Sequence, residues 1–516
     1  MGTRSILGAI LAAAQLPTLS ALPAHDALPT TLQTCLGLTG AEIVYPNTQT
    51  YDSLSKPQNS NYQAHPQVIV IPGSTEEVAA TVKCVSGENG NVKLSPRGGG
   101  HSYAAYSFSG EVVLDPGRMK GLSIDEGKKE VTVQFGQTLG PLATALGSKG
   151  YALPHGTCPT VGVAGHSMGG GWGFSSRKWG WLVDRIVGVE FVDVSGNIKH
   201  LSPSSTGHDA ELWWGVRGAG SNNFGVVTAF TFSLEQAPTD VVNYELYFGP
   251  ESDCVQVLLQ VQELGQLPAD SADGFPLELG IEVLLMGRDN KQNSACILQG
   301  QYLGKRFGYE ASINKILHKL SAKGIKPIKS ESKIKEFTSW VAALTDLMGP
   351  LEAADAPLPY YAQSAIDSGA PAYDQNQVKR IFDGLRAARR TKGSEPDVSF
   401  DLLGPDAKTN LPTSTGDMAY IHRKSLFLVQ IYSAYFPGFG DPVARQDAVN
   451  RITGITSAVR QTKPGNEWHS YQNYIDPHLA NFGREYYGDA LERLKALKIA
   501  SDPNVVFDFP QGLSHV

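Results

Sequence analysis

Pro96-Arg97-Gly98-Gly99-Gly100-His101-Ser102-Tyr103 and Gly156-Thr157-Cys158-Pro159-Thr160-Val161-Gly162-Val163-Ala164-Gly165-His166 are the two loops on which the fold is read. In the first, three consecutive glycines follow an apolar run, so no Cβ keeps the backbone away from a ligand. Their N–H groups can form a concavity for an anion such as a pyrophosphate. A glycine triplet by itself is more often a flexible turn. The second loop runs into Gly169-Gly170-Gly171-Trp172-Gly173, the densest glycine stretch of the chain. Two such regions in one predicted domain exceed what turns require. Neither ends in Gly-Lys-Ser/Thr, and neither is a GxGxxG that opens a helix. The reading is a nucleotide cofactor held by a different fold.

Outward from these loops the chain reads as α+β. Residues 68–71 are an apolar run ended by Pro72-Gly73, a buried strand. Ser74 with Glu77 forms a capping box that starts a helix, and residues 92–95 return as a strand into the first glycine loop, completing a βαβ unit. Strands follow at 112–114, 122–124 and 131–135, then a helix at 138–146. Residues 186–194 and 198–201 flank Ser195-Gly196-Asn197 as a hairpin. The character changes near Gln236-Ala237-Pro238. Beyond it, helical patterns mix with strand-like runs at 277–285 and 426–432, and a Lys-rich stretch at 318–335 reads as solvated surface. Residues 486–499 read as one amphipathic helix that docks back on the first domain. The predicted organisation is a leader at 1–22, a cofactor domain at 23–235, a substrate domain at 236–462 and a return to the cofactor domain at 463–516.

The leader is read from Arg4, an apolar stretch at 6–16 and small residues around 20–24, the pattern of a secretory signal peptide. A secreted, extracellular protein is expected, and export permits disulfides. Five cysteines leave one over whatever the pairing. Cys35 and Cys84 lie in the N-terminal region, and Cys254 and Cys296 lie further on, their pairing left open. Cys158, in a loop of Gly, Thr and Pro, is the natural remainder. A net charge of −7 offers no basic stripe for phosphates, which argues against nucleic-acid binding. No later run is long and apolar enough to span a bilayer, and no metal site is expected.

The two loops resemble the berberine-bridge-enzyme-like group of the vanillyl-alcohol-oxidase flavoproteins, and within it the fungal oligosaccharide oxidases. The resemblance covers nearly the whole mature chain, most strongly at 64–235 and from 470 onward. It implies a two-part FAD-binding domain of the vanillyl-alcohol-oxidase (PCMH) type and an α+β substrate domain with an antiparallel sheet. It implies FAD attached covalently, by the His of Arg-Gly-Gly-Gly-His to the 8α carbon and by the Cys of Gly-x-Cys-x-x-Val-Gly to C6. Those positions are His101 and Cys158, and a thioether at Cys158 also resolves the odd cysteine without a dimer, so a monomer is expected. Further flavin contacts implied are Arg97, Gly98, Gly99, Gly100, Ser102, Gly162, Gly165, His166 and Val227, mostly through backbone amides. His166 has capping of the following turn as its competing role.

On the substrate side, a hydroxyl that gives up hydride also needs a general base. The Tyr of an Asn-Tyr-x-Asp motif has that role in the resembled oxidases, and Tyr474 matches it in Asn473-Tyr474-Ile475-Asp476. Asp401 in Ser399-Phe400-Asp401-Leu402 matches the assisting aspartate, with a turn or cap role as its competitor. A phenol near pKa 10 is a poor base, so a neighbour that lowers it is required. Tyr103, Glu282 and Gln430 match positions that meet sugar hydroxyls, although Glu282 could be a surface strand residue. The chain departs from the glucose-oligosaccharide oxidases at Asp397 and Ser399, where they carry an aromatic and an amide; the lost stacking surface puts a glucan in doubt. Val161, small and three residues after Cys158, resembles the oxygen-reactive members. The expected activity is oxidation of an alcohol, the C1 hydroxyl of an oligosaccharide giving a lactone, with O2 as acceptor. The alternative is an FAD-linked oxidoreductase of secondary metabolism. Retention of both anchors and of Tyr474 argues against a flavin-binding protein with little turnover.

Overall fold

The computed structural model describes residues 28–287, 294–354, 356–367, 373–391, 393–410, 417–436, 441–461 and 467–516. The predicted leader lies outside them. Three main sheets organise the chain. The first has the order Glu42–Val44, Val68–Ile71, Val112–Leu114, Leu94–Pro96, and its last two pairings are parallel. The predicted βαβ unit is present, with helix Thr75–Ser86 as its crossover, but Val112–Leu114 inserts between its two strands. Val68–Ile71 and Val112–Leu114 are fully buried apolar runs, as a sheet covered on both faces requires. Ser74 caps the helix by accepting the Glu77 N–H. The Glu77 carboxylate reaches one residue further back than a capping box does and accepts the Gly73 N–H at 2.6 Å.

The second sheet is antiparallel, in the order Leu122–Asp125, Glu130–Gln134, Gly225–Ser233, Ile186–Asp193, Ile198–Leu201. The predicted hairpin is its last pair. The C-terminal segment packs into the same core through Tyr486, Leu494, Leu497, Val506 and Phe507. It is not one helix: Gly488 at φ +46° separates helix Phe482–Tyr487 from helix Leu491–Ser501. Only a residue without a Cβ tolerates that turn cheaply, which a hydrophobic-spacing argument does not register.

The third sheet has eight antiparallel strands, in the order Lys333–Phe337, Val241–Phe248, Cys296–Tyr302, Glu282–Met286, Glu395–Leu402, Phe427–Ala434, Tyr360–Asp367, Trp468–His469. Its first strand, within the Lys-rich stretch, is mostly exposed, and lysines on an edge discourage further pairing. Alternation sorts its two faces. Val398, Phe400 and Leu402 join Val429 and Ile431 in a core with helices Glu251–Gly265, Arg306–Ser321, Gln375–Ala388 and Pro442–Arg460. The opposite face carries Asp397, Ser399 and Asp401, with Tyr432 and Gln430 paired across from the first two. Of that face, Gln430 and Tyr432 line the site described next. Disulfides Cys35–Cys84 and Cys254–Cys296, each with Cα atoms 5.7 Å apart, leave Cys158 as the cysteine outside a disulfide among the described residues.

Candidate active site

The two glycine loops pack against each other. A Cβ on Gly99 would lie 2.4 Å from the Gly162 nitrogen and 2.6 Å from the Thr160 carbonyl oxygen. One on Gly162 would lie 2.2 Å from the Gly99 nitrogen. These two glycines therefore lock one loop to the other rather than open backbone to a ligand. Gly165, with nothing within 4 Å of its missing Cβ, and Gly98, with its nearest neighbour at 3.9 Å, are the ones that leave room. Gly100 is required by its φ of +77°. The stretch 169–173 has a third use. A Cβ at Gly169 would fall 1.9 Å from Asn473 Oδ1, and one at Gly170 would fall 2.8 Å from the Tyr420 ring. That run is thus a seat for side chains from the second half of the chain.

The loop-to-loop lock brings His101 and Cys158 together. His101 Nε2 lies 2.8 Å from Thr160 Oγ1, and Cys158 Sγ lies 3.8 Å from the same hydroxyl. Both line a cavity of about 780 Å³, within the range of cofactor sites. Its wall also includes Arg97, Gly98, Gly99, Gly100, Ser102, Gly162, Gly165, His166 and Val227. Arg97 is ion-paired with the buried Asp115 and donates to the Leu54 carbonyl at 3.1 Å. His166 does not cap a turn. Its Nε2 accepts the Gly156 N–H at 3.1 Å, and burial with His155 nearby pushes its imidazole down to about 3, so it is neutral.

These residues fit an FAD. Space for a close ligand exists beside Gly165, and three buried polar atoms of the wall residues, Arg97 Nε, Ser107 Oγ and Asn222 Oδ1, have no protein partner. Groups of that kind call for a polar ligand or water.

Part of the cavity wall is aromatic. Tyr103 and Tyr474 stack with centroids 5.6 Å apart and planes 9° apart. Tyr471 meets Tyr474 edge-on at 5.0 Å, and Tyr360 meets Tyr103 edge-on at 5.0 Å. Gln430 donates to the Tyr103 hydroxyl at 2.8 Å. The loop bearing Tyr474 is tied at several points. Tyr471 accepts the Gly171 N–H at 2.8 Å, and Asn473 donates to the His166 carbonyl at 3.0 Å. Asp476 accepts from Tyr361 at 2.7 Å, from Gln363 at 3.0 Å and from the His478 N–H at 2.9 Å. The aspartate of the Asn-Tyr-x-Asp motif is thus an anchor for the loop.

Asp401 and Glu282 lie outside this cavity wall, directly across from each other on neighbouring strands. Asp401 is paired within its strand, one residue from the end, and fully buried, which leaves no turn or cap role for it, and its Oδ1 has no partner. Glu282 faces it, bonded also to Gln299. Burial and the facing Glu282 push the Asp401 carboxyl well above the ordinary range, and burial raises Glu282 as well. The Tyr474 phenol is pushed up by burial, by Tyr103 and by Asp401. The neighbour that the sequence argument required to lower it is not among these causes; phenols and carboxyls stand there instead. A proton taken by this tyrosine therefore has to be handed on.

Sequence reasoning missed Tyr360, Tyr432, Tyr471 and Asn222. Tyr432 pairs across from Asp397 and packs on Tyr360 at 5.4 Å, so an aromatic wall exists although residue 397 is not aromatic. The period-two pattern of 427–434 would have placed Tyr432 and Gln430 on one face.

Comparison with known proteins agrees with this geometry. Residues 66–202 match the FAD binding domain family and residues 470–514 the berberine and berberine-like family. The chain is 29% identical over 503 residues to xylooligosaccharide oxidase from Thermothelomyces thermophilus, covering 96% of each. It is 28% identical to FAD-linked oxidoreductase sorD from Penicillium rubens, covering 95% of this chain and 99% of that one. A solved structure of glucooligosaccharide oxidase from Acremonium strictum, whose FAD is 6-S-cysteinyl, 8α-N1-histidyl, superposes with a TM-score of 0.82 at 25% identity over 94% of this chain and 99% of that one. The chain has the α+β, PCMH-type fold of these neighbours, it carries an FAD binding domain and a berberine-like domain, and it is similar to FAD-linked oxidases of the berberine-bridge-enzyme-like group.

Proposed function

We propose that the chain is a secreted, monomeric FAD-dependent oxidase that takes hydride from the C1 hydroxyl of an oligosaccharide, gives a lactone, and passes the electrons to O2 to form H2O2. The cofactor is held covalently through His101 and Cys158, with residues 23–235 and 463–516 around it and 236–462 around the substrate. Bound FAD supplies the hydride and electron acceptor; the protein supplies position and proton transfer. The single observation that carries the reading is the cluster of Tyr103, Gln430 and Tyr474 in the wall of the same cavity that the paired glycine loops line. Tyr474 takes the hydroxyl proton as its own proton passes toward the Asp401 carboxylate, the facing Glu282 completing the acidic pair. Tyr103, Gln430 and Glu282 are the residues assigned to the sugar hydroxyls, and the Tyr360–Tyr432 surface provides stacking.

A second reading, an oxidoreductase of a secondary metabolite, is favoured by the polar Asp397 and Ser399 on the sheet face that would meet a sugar. A peroxide-coupled assay of the purified holoprotein against cello-, xylo- and chito-oligosaccharides separates the two. Turnover of one series establishes the sugar oxidase and its substrate class. Silence on all three, with flavin bound, sinks that reading in favour of the second.

A further inference from the structure

Thr160 stands between the two side chains assigned to the flavin. One hydroxyl oxygen is 2.8 Å from His101 Nε2 and 3.8 Å from Cys158 Sγ. Its position is set by the backbone on either side. The Thr160 carbonyl is pressed against Gly99 closely enough to exclude a Cβ there. The Leu139 N–H donates to the Val161 carbonyl at 3.0 Å, and the Gly140 N–H to the Pro159 carbonyl at 2.9 Å. The hydroxyl is therefore aimed by two loops and a helix start, not by a free rotor on a mobile turn. A hydrogen bond to one ring nitrogen of a histidine decides which nitrogen does the chemistry.

We propose that Thr160 is a positioning residue for attachment of the cofactor: by holding His101 Nε2 it presents Nδ1 to the flavin 8α carbon. This rests on the covalent-FAD reading above. With Nε2–H donating to Thr160 Oγ1, the Nδ1 lone pair is the nucleophile. Joining the imidazole to the 8α-methyl replaces one C–H and one N–H by a C–N bond, releasing two protons and two electrons. The Nε2 proton leaves through the Thr160 hydroxyl to water, and the C–H proton also leaves to water. The two electrons reduce the flavin ring, and dioxygen removes them with two protons as hydrogen peroxide. Once the bond is made, the Thr160 O–H donates to Nε2, so the same contact serves before and after.

The test uses the full chain with Cys158→Ala, which leaves the histidyl bond as the sole anchor, and adds Thr160→Val or Thr160→Ser. The readouts are flavin retained after acid precipitation and the mass of the tryptic peptide starting at Gly98, with or without FAD. Flavin absorbance before precipitation shows that each variant forms the cavity. Thr160→Val should lower the covalent fraction at a fixed time of production about tenfold, the effect of one hydrogen bond in the bond-forming step, while Thr160→Ser keeps it. A Thr160→Val protein with the full histidyl adduct, or a Thr160→Ser protein as poor as Thr160→Val, would overturn the proposal. Complete release of flavin by acid from the unmutated chain would instead overturn the covalent reading on which it stands.

Discussion

At the scale of single residues, the site is governed by where protons can rest. Tyr474 is enclosed by Tyr103, Tyr471 and the acidic pair, and each of them discourages a phenolate. A neutral phenol can pass a proton on in concert but cannot store one. Asp401 is the acceptor that this arrangement offers, and it accepts only when ionised. Its carboxyl is raised by burial first and by Glu282 second, so the acid limb of kcat/KM should lie above the ordinary carboxylate range. Glu282→Gln removes one raising cause without changing shape, so Asp401 should ionise more readily and the limb should move to lower pH. A pH profile of the variant checks this; an unmoved limb with only KM altered would leave Glu282 as a sugar contact alone.

At the scale of elements, glycines decide how loops meet, and this was the least legible part of the sequence. Composition marks 98–100 and 169–173 as special but not why. Gly99 exists for Gly162, and Gly169 for Asn473, and both reasons lie in contacts far along the chain. The neighbouring Asn473 and Tyr471 bonds fix Tyr474, so Gly169→Ala should displace the loop that carries it. We expect a stability loss of about 1–3 kcal/mol from overpacking and a larger fall in kcat than in flavin content, measured by thermal melting and steady-state turnover. Other elements were readable. The buried run at 68–71, the Ser74 cap and the Ser195-Gly196-Asn197 hairpin follow local rules and appear as expected. The strand Glu395–Leu402 alternates Asp397, Ser399 and Asp401 with Val398, Phe400 and Leu402, and that period identifies Asp401 as a sheet-face residue. The broken helix at Gly488 shows the opposite case, where one backbone conformation overrides a periodic pattern.

At the scale of the whole molecule, the last segment of the chain closes the site. Lys498, buried, donates to Asp502 at 2.7 Å and to the carbonyls of Asn223 and Phe507 at 2.8 and 2.6 Å. It thereby pins the C-terminus beside Asn222 on the cavity wall. Asp476, which ties the Tyr474 loop to the large sheet, carries a pKa raised to about 6, chiefly by burial. A carboxyl raised in the folded state stabilises the fold below its unfolded pKa of about 3.9 and loses that contribution as pH rises through about 6. Global stability should therefore fall by of order 2 kcal/mol between pH 4 and 6 from this group. Asp476→Asn should flatten that slope in melting temperature against pH.

The central claim is that Tyr474 removes the proton as an alcohol gives hydride to FAD, and anaerobic rapid-mixing absorbance tests it most directly. Oligosaccharide mixed with the oxidised holoprotein should bleach the flavin band, and admitting O2 should restore it. In Tyr474→Phe, with flavin content unchanged, bleaching should slow by about 10²–10⁴-fold. Bleaching of the Tyr474→Phe flavin at the unmutated rate would contradict the account.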